Sequence, residues 1–113
     1  MTPKTKLRKE ADRAWFKKLL KPKCDVCGKE AKQVHHFFPK GQFAHLRYCP
    51  DNAISICFSC HFAHHHKGDP RVHQTIIETR GKEWYETLRD KSREKPSSYQ
   101  TLTYYRDILK QYE

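Results

Sequence analysis

Residues 56–68 read ICFSCHFAHHHKG, two cysteines and four histidines in one short run. Upstream, residues 33–41 read QVHHFFPKG and residues 24–28 read CDVCG. Of the chain's 8 histidines and 5 cysteines, six and four respectively fall in these three runs. Thiol and imidazole lone pairs are the usual ligands of transition metals, so this clustering points to metal held for structure, for chemistry, or for both.

The elements around these runs are legible from pattern. AISIC at 53–57 is a short apolar strand, and QVHHFF at 33–38 a second one, rich in aromatic and β-branched residues. Residues 58–66 carry on as a helix that Gly68 ends. Between the strands, PKGQFAHLRYCPDN reads as loop around a brief turn of helix or strand, and CDVCG forms a tight turn. Leu7, Ala11, Ala14, Trp15 and Leu19 recur at helical spacing and predict a helix over 5–20, stopped by Pro22. Asp69 suits an N-cap, Pro70 the first position and Gly81 the far end of a further helix. Another spans about 82–93 with Trp84, Tyr85 and Leu88 together. After KPSS, Ser97 or Ser98 can cap a last helix bearing Leu102, Tyr105, Ile108, Leu109 and Tyr112. His45 and His73 belong to no motif and read as ordinary surface or core histidines.

At 113 residues the chain is one small domain, with 36% hydrophobic and 32% charged residues. So little apolar material calls for a staple, and a metal is the evident one. The expected class is α+β: a basic amino-terminal helix (1–23), a cysteine- and histidine-bearing core (24–67) and carboxy-terminal helices (68–113). Lys and Arg outnumber Asp and Glu by 23 to 13, for a net charge of +10. A polyanionic partner, most often nucleic acid, suits such a balance. Much of the excess lies before residue 24, where Arg8 and Lys17 sit on a face that is either solvated or laid along a phosphate backbone. No apolar leader opens the sequence and no segment approaches membrane-spanning length, so the expected setting is the cytoplasm, with reduced thiols and no membrane partner.

Cys24 and Cys27 form one CxxC, Cys57 and Cys60 another. Two such turns supply the four thiolates of a tetrahedral structural zinc, with the segment between them folded out as an insert. A thioredoxin-like redox pair lacks its βαβ surroundings here, and four unligated core thiols leave the doubled spacing unexplained. Cys49 reads as a small buried residue. With zinc's shell filled by sulfur, the histidines remain for something else. Neighbours on a strand point to opposite faces, so His35 and His36 are expected to take different roles. His61 and His65, four apart on a helix, share a face and can converge on one ion, with His64 as the competing choice.

The adjacent histidines, Asn52, and His61 with His65, framed by two CxxC pairs of which the second reads CFSCH, resemble the HNH endonuclease family over about 24–67. The His-His opening with His-x3-His is also similar to the nuclease colicins. The tail from Gly68 and LRYCPDN look like phage HNH proteins related to the NinG/Rap recombination nucleases. The resemblance implies a ββα-metal core that holds a catalytic ion between a β-hairpin and a helix. It implies His35, His61 and His65 as ligands, His36 as general base, and Asn52 as the residue that orients His36. Arg47, whose fork matches phosphate oxygens, is a candidate clamp, with Lys40 and Lys67 as further DNA contacts. The family's usual aspartate is replaced by His35. An all-imidazole set favours Mn²⁺, Ni²⁺, Co²⁺ or Zn²⁺ over Mg²⁺, unless Asp51 or Asp69 contributes. The expectation is a metal-dependent DNA endonuclease, phage-encoded and acting in the host cytoplasm, with a monomer slightly favoured over a dimer. The alternative is a non-catalytic, zinc-stabilised nucleic-acid-binding module.

Overall fold

The computed structural model describes residues 2–96 and 99–113. Among them are five α-helices and one two-stranded antiparallel sheet, an α+β arrangement. Helix α1 (Pro3–Leu19) comes first, then strand β1 (Gln33–His36), a loop with two 3-10 turns (Ala44–Leu46 and Pro50–Asn52), and strand β2 (Ala53–Ile56). Helices α2 (Phe58–Lys67), α3 (Arg71–Arg80), α4 (Lys82–Arg93) and α5 (Leu102–Gln111) follow.

Helix α1 starts two residues before the periodicity predicts. The Thr2 hydroxyl accepts from the Thr5 N–H at 3.1 Å, and Pro3 takes a first-turn position where its missing N–H costs nothing. Ala11 and Trp15 are buried against Tyr105 and Tyr112 of the α5 region, so the chain's two ends close one side of the molecule. Asp69 accepts from the Arg71 N–H at 2.9 Å, but Pro70, not Asp69, is the residue that precedes α3. The expected cap at Ser97 or Ser98 lies outside the described residues; α5 is capped by Thr101, whose hydroxyl accepts from the Tyr104 N–H at 3.1 Å. Gly68 ends α2 at φ 60°, the left-handed conformation a C-cap glycine supplies.

The strand register pairs His35 with Ile54 and His36 with Ala53. Paired residues share a face, and alternation assigns the two faces to different cores. Ile54 and Ile56 look into a core with Leu46, Val72, Ile76 and Leu88, under α3 and α4. Ala53 looks the other way, into the core of Ala11, Trp15, Tyr48, Tyr105 and Tyr112.

The loop between the strands is held by buried polar groups. Asn52 is fully buried; its Oδ1 accepts from the Phe38 N–H at 2.7 Å, and its Nδ2 donates to the carbonyls of Phe38 (3.1 Å) and Leu46 (3.3 Å). Arg47 makes a two-pronged bond to Asp12 of α1, with Nε at 2.8 Å and Nη2 at 2.6 Å, and the Tyr48 hydroxyl donates to the same carboxylate at 2.7 Å. Burial would raise the Asp12 carboxyl, but the bonds from Arg47 and Tyr48 prevail and hold it below its usual range. His45 donates from Nε2 to the carbonyls of Lys91 and Ser92 and so fastens the end of α4. Truncation of Asn52 to alanine strands three of these backbone groups. It should lower the unfolding free energy by about 2–4 kcal/mol in denaturant titration. A loss under about 1 kcal/mol would show that the loop holds itself.

Candidate metal centres and the histidine-lined cleft

The four cysteines converge. Cys24, Cys27, Cys57 and Cys60 each bring a sulfur to within 4.8 Å of the others, with Cys27 Sγ and Cys57 Sγ 3.5 Å apart. Tetrahedral zinc with Zn–S bonds of about 2.3 Å spaces its sulfurs by roughly 3.8 Å, so this group can hold a zinc ion. Backbone donors are already in place: the Val26 N–H meets Cys24 Sγ at 3.4 Å and the Cys60 N–H meets Cys57 Sγ at 3.4 Å. Cys57 is also the N-cap of α2. Although burial raises the Cys24 thiol, backbone N–H groups bring it down to about 7, whereas burial pushes the Cys60 thiol well up. The turn closes through Gly28, which adopts φ 79° as its N–H bonds the Cys24 carbonyl.

Asp25 sits inside this turn and ties it to the sheet. Its N–H donates to the Ser55 carbonyl at 2.7 Å, its carboxylate accepts from the Ser55 N–H at 2.8 Å, and Arg80 of α3 reaches the same carboxylate at 3.1 Å. Arg80 also donates to the Ala53 carbonyl, so a single guanidinium fastens α3 to the cysteine turn and to β2.

The histidines form a second centre. His35, buried, faces α2 and α3; His61 and His65 bring ring nitrogens to it within 4.8 Å, as the i, i+4 spacing leads one to expect. His64 and His73 form another such group with the same His35. The choice between His64 and His65 therefore resolves into two groups that share one residue. Burial, followed by the fields of His64, His73, His61 and His65, pushes His35 down to about 2, which keeps it neutral with a lone pair to give. Asp51 and Asp69 belong to neither group; they face Lys91 at 3.6 Å and Arg71 at 2.8 Å.

His36 is placed on the opposite face, stacked on Trp15 with ring centroids 4.4 Å apart and planes within 9°. Its Nε2 lies 2.9 Å from the Arg47 carbonyl. A carbonyl only accepts, so Nε2 carries the hydrogen and Nδ1 keeps the free lone pair. Burial lowers this ring to about 4, hence it is neutral around pH 7. Asn52 makes no direct bond to it. The amide instead fixes Leu46, the neighbour of the carbonyl on which His36 leans.

Both strand histidines line one cleft of about 450 Å³, together with Asp12, Trp15, Lys40, His61, His64 and His65. Lys40 is exposed at this cleft, and Lys67 is exposed beside the Phe62 ring. Lys17 is exposed on α1, while Arg8 is half-buried. Arg47 is committed to Asp12, so it is not a free phosphate clamp in this arrangement. No family model, curated protein or solved structure matches the chain.

Three residues that touch the site belong to no motif in the sequence: Trp15, Asp12 and His73. Trp15 keeps the helical period of α1, but its ring also carries His36. His73 lies one turn before Ile76 and Ile77 on α3, and a histidine on a helix's apolar stripe was the available signal.

Among the described residues no helix is long and apolar enough to cross a membrane. Removal of metal by a strong chelator should abolish the helical far-UV signal and the cooperative melt, since thiolates share a geometry only in the folded chain. An unchanged spectrum and melting point would show that the sulfur group carries none of the folding energy.

Proposed function

We propose that the chain is a metal-dependent DNA endonuclease of the HNH type, with β1, β2 and α2 as its ββα-metal core and a structural zinc in the four-cysteine group. The observation that carries this reading is the convergence of His35, His61 and His65 at a cleft also lined by a neutral His36, whose free nitrogen is set by its bond to the Arg47 carbonyl. The net charge of +10 suits a polyanionic substrate.

Phosphodiester hydrolysis needs a deprotonated water, charge stabilisation at the phosphoryl group and help for the departing oxygen. A divalent ion held by His35, His61 and His65 would supply the Lewis acid for the last two. His36 takes the proton at Nδ1, the atom its carbonyl bond leaves free. Trp15 stacks on the ring and keeps its plane, so the base is aimed before substrate arrives. Asn52 acts on His36 through the loop, as a positioning residue. Lys40 at the cleft meets a phosphate without displacing another partner, whereas Arg47 could do so only by giving up Asp12.

His36→Ala should abolish cleavage of supercoiled plasmid, by about 100-fold or more, with zinc content and DNA binding retained. Cleavage at the wild-type rate would overturn the assignment of the base. Wild-type protein that binds DNA but never cleaves with any divalent metal would leave a zinc-stabilised binding module. The imidazole set also predicts activity in Mn²⁺ at least equal to that in Mg²⁺. A clear preference for Mg²⁺, measured on the same plasmid, would mean the ligands are other than these three.

A further inference from the structure

His73 completes a second imidazole group that the proposed chemistry does not use. His35, His64 and His73 bring ring nitrogens within 4.8 Å of one another, from β1, α2 and α3 respectively. His35 Nε2 and His73 Nε2 share a hydrogen bond at 3.3 Å, whose proton an ion would displace. Zinc bound tetrahedrally through nitrogens at about 2.0–2.1 Å spaces them by roughly 3.3–3.4 Å. His64 Nδ1 is buried with no hydrogen-bond partner. The His73 ring stacks on Phe37 (centroids 4.3 Å, planes 23° apart) and on His64 (4.4 Å, 28°), so His64 must turn out of the stack for both in-plane lone pairs to reach one ion.

We propose that His35, His64 and His73 form a second, alternative position for a transition-metal ion of the zinc class, in competition with the His35–His61–His65 group. Three imidazoles without a carboxylate select Zn²⁺, Co²⁺ or Ni²⁺ and reject Mg²⁺. Competition follows from His35: a neutral imidazole has one in-plane lone pair and serves one ion at a time.

The two positions differ in what surrounds them. His35, His61, His64 and His65 all line the cleft that contains His36, and His73 alone lies outside it. An ion drawn to His73 leaves His61 and His65 and joins α3 to the sheet. Under the nuclease reading, on which this consequence alone rests, excess zinc parks in the inactive position and slows cleavage. The ion position itself does not depend on that reading.

The test uses the full chain, zinc-loaded at its cysteines, carrying His61→Ala and His65→Ala. Co²⁺ is added and followed by visible absorption and calorimetry. The double variant should bind one Co²⁺ per chain with the bands of a nitrogen-ligated tetrahedral ion. Adding His73→Ala should weaken that binding by at least about tenfold, the scale on which even the outer partners of a metal site act. If His73→Ala unfolds the chain by far-UV dichroism, His64→Ala in the same background decides by the same criterion. In the wild type, the His73 ring resonances should shift as Zn²⁺ is added. No Co²⁺ uptake by the double variant, or unchanged affinity in a folded triple variant, overturns the proposal. None of these readouts depends on DNA cleavage, so failure here and failure of the nuclease reading are separable.

Discussion

Two imidazoles one residue apart on a strand cannot face the same way, and this alternation organises the molecule. Because β1 pairs with β2 in the register His35 to Ile54 and His36 to Ala53, His35 goes to the side of α2 and α3, and His36 goes to the side of α1. A slip of one residue would exchange them, sending His36 in among the other imidazoles and His35 onto Trp15. Every feature of the candidate site depends on that register being held, although only four residue pairs define it.

What holds it is mostly polar. The cysteine turn is fastened to β2 by Asp25 and Ser55, and Arg80 fastens α3 to both. Asn52 closes the loop from the inside, and the Asp12–Arg47–Tyr48 cluster fastens it to α1 from the outside. The apolar cores on either side are small, with the sheet's Ile54 and Ile56 fully buried in one of them. A four-cysteine group able to take zinc lies at the junction of the amino-terminal turn with β2 and α2, where a cross-link closes a loop of some 30 residues.

Local signals were sufficient for what is local. Both strands, the helix from Phe58 to its glycine stop, and the cysteine and His61–His65 spacings could be read directly from residue pattern, as could α3 and α4 to within a residue or two. The start of α1 moved because a cap at Thr2 and a proline at the next position outweighed the apolar period. Long-range contacts were not legible. Arg47 reads as a free cation until Asp12, 35 residues away, takes both of its prongs. His73 reads as incidental until α3 packs beside α2 and delivers it to a residue 38 positions upstream. Asn52 has no bond to His36, because its amide is taken up by Phe38 and Leu46 of the loop.

The central claim is a division of labour, in which sulfur holds one ion as scaffold while imidazoles around His35 hold another beside a neutral base. Anomalous diffraction from crystals grown with Zn²⁺ and Mn²⁺, recorded on either side of each metal's absorption edge, tests it most directly. The account predicts a zinc peak among Cys24, Cys27, Cys57 and Cys60, and a separate metal peak within bonding distance of His35. Crystals with a fully occupied cysteine site and no metal peak at His35 would contradict it.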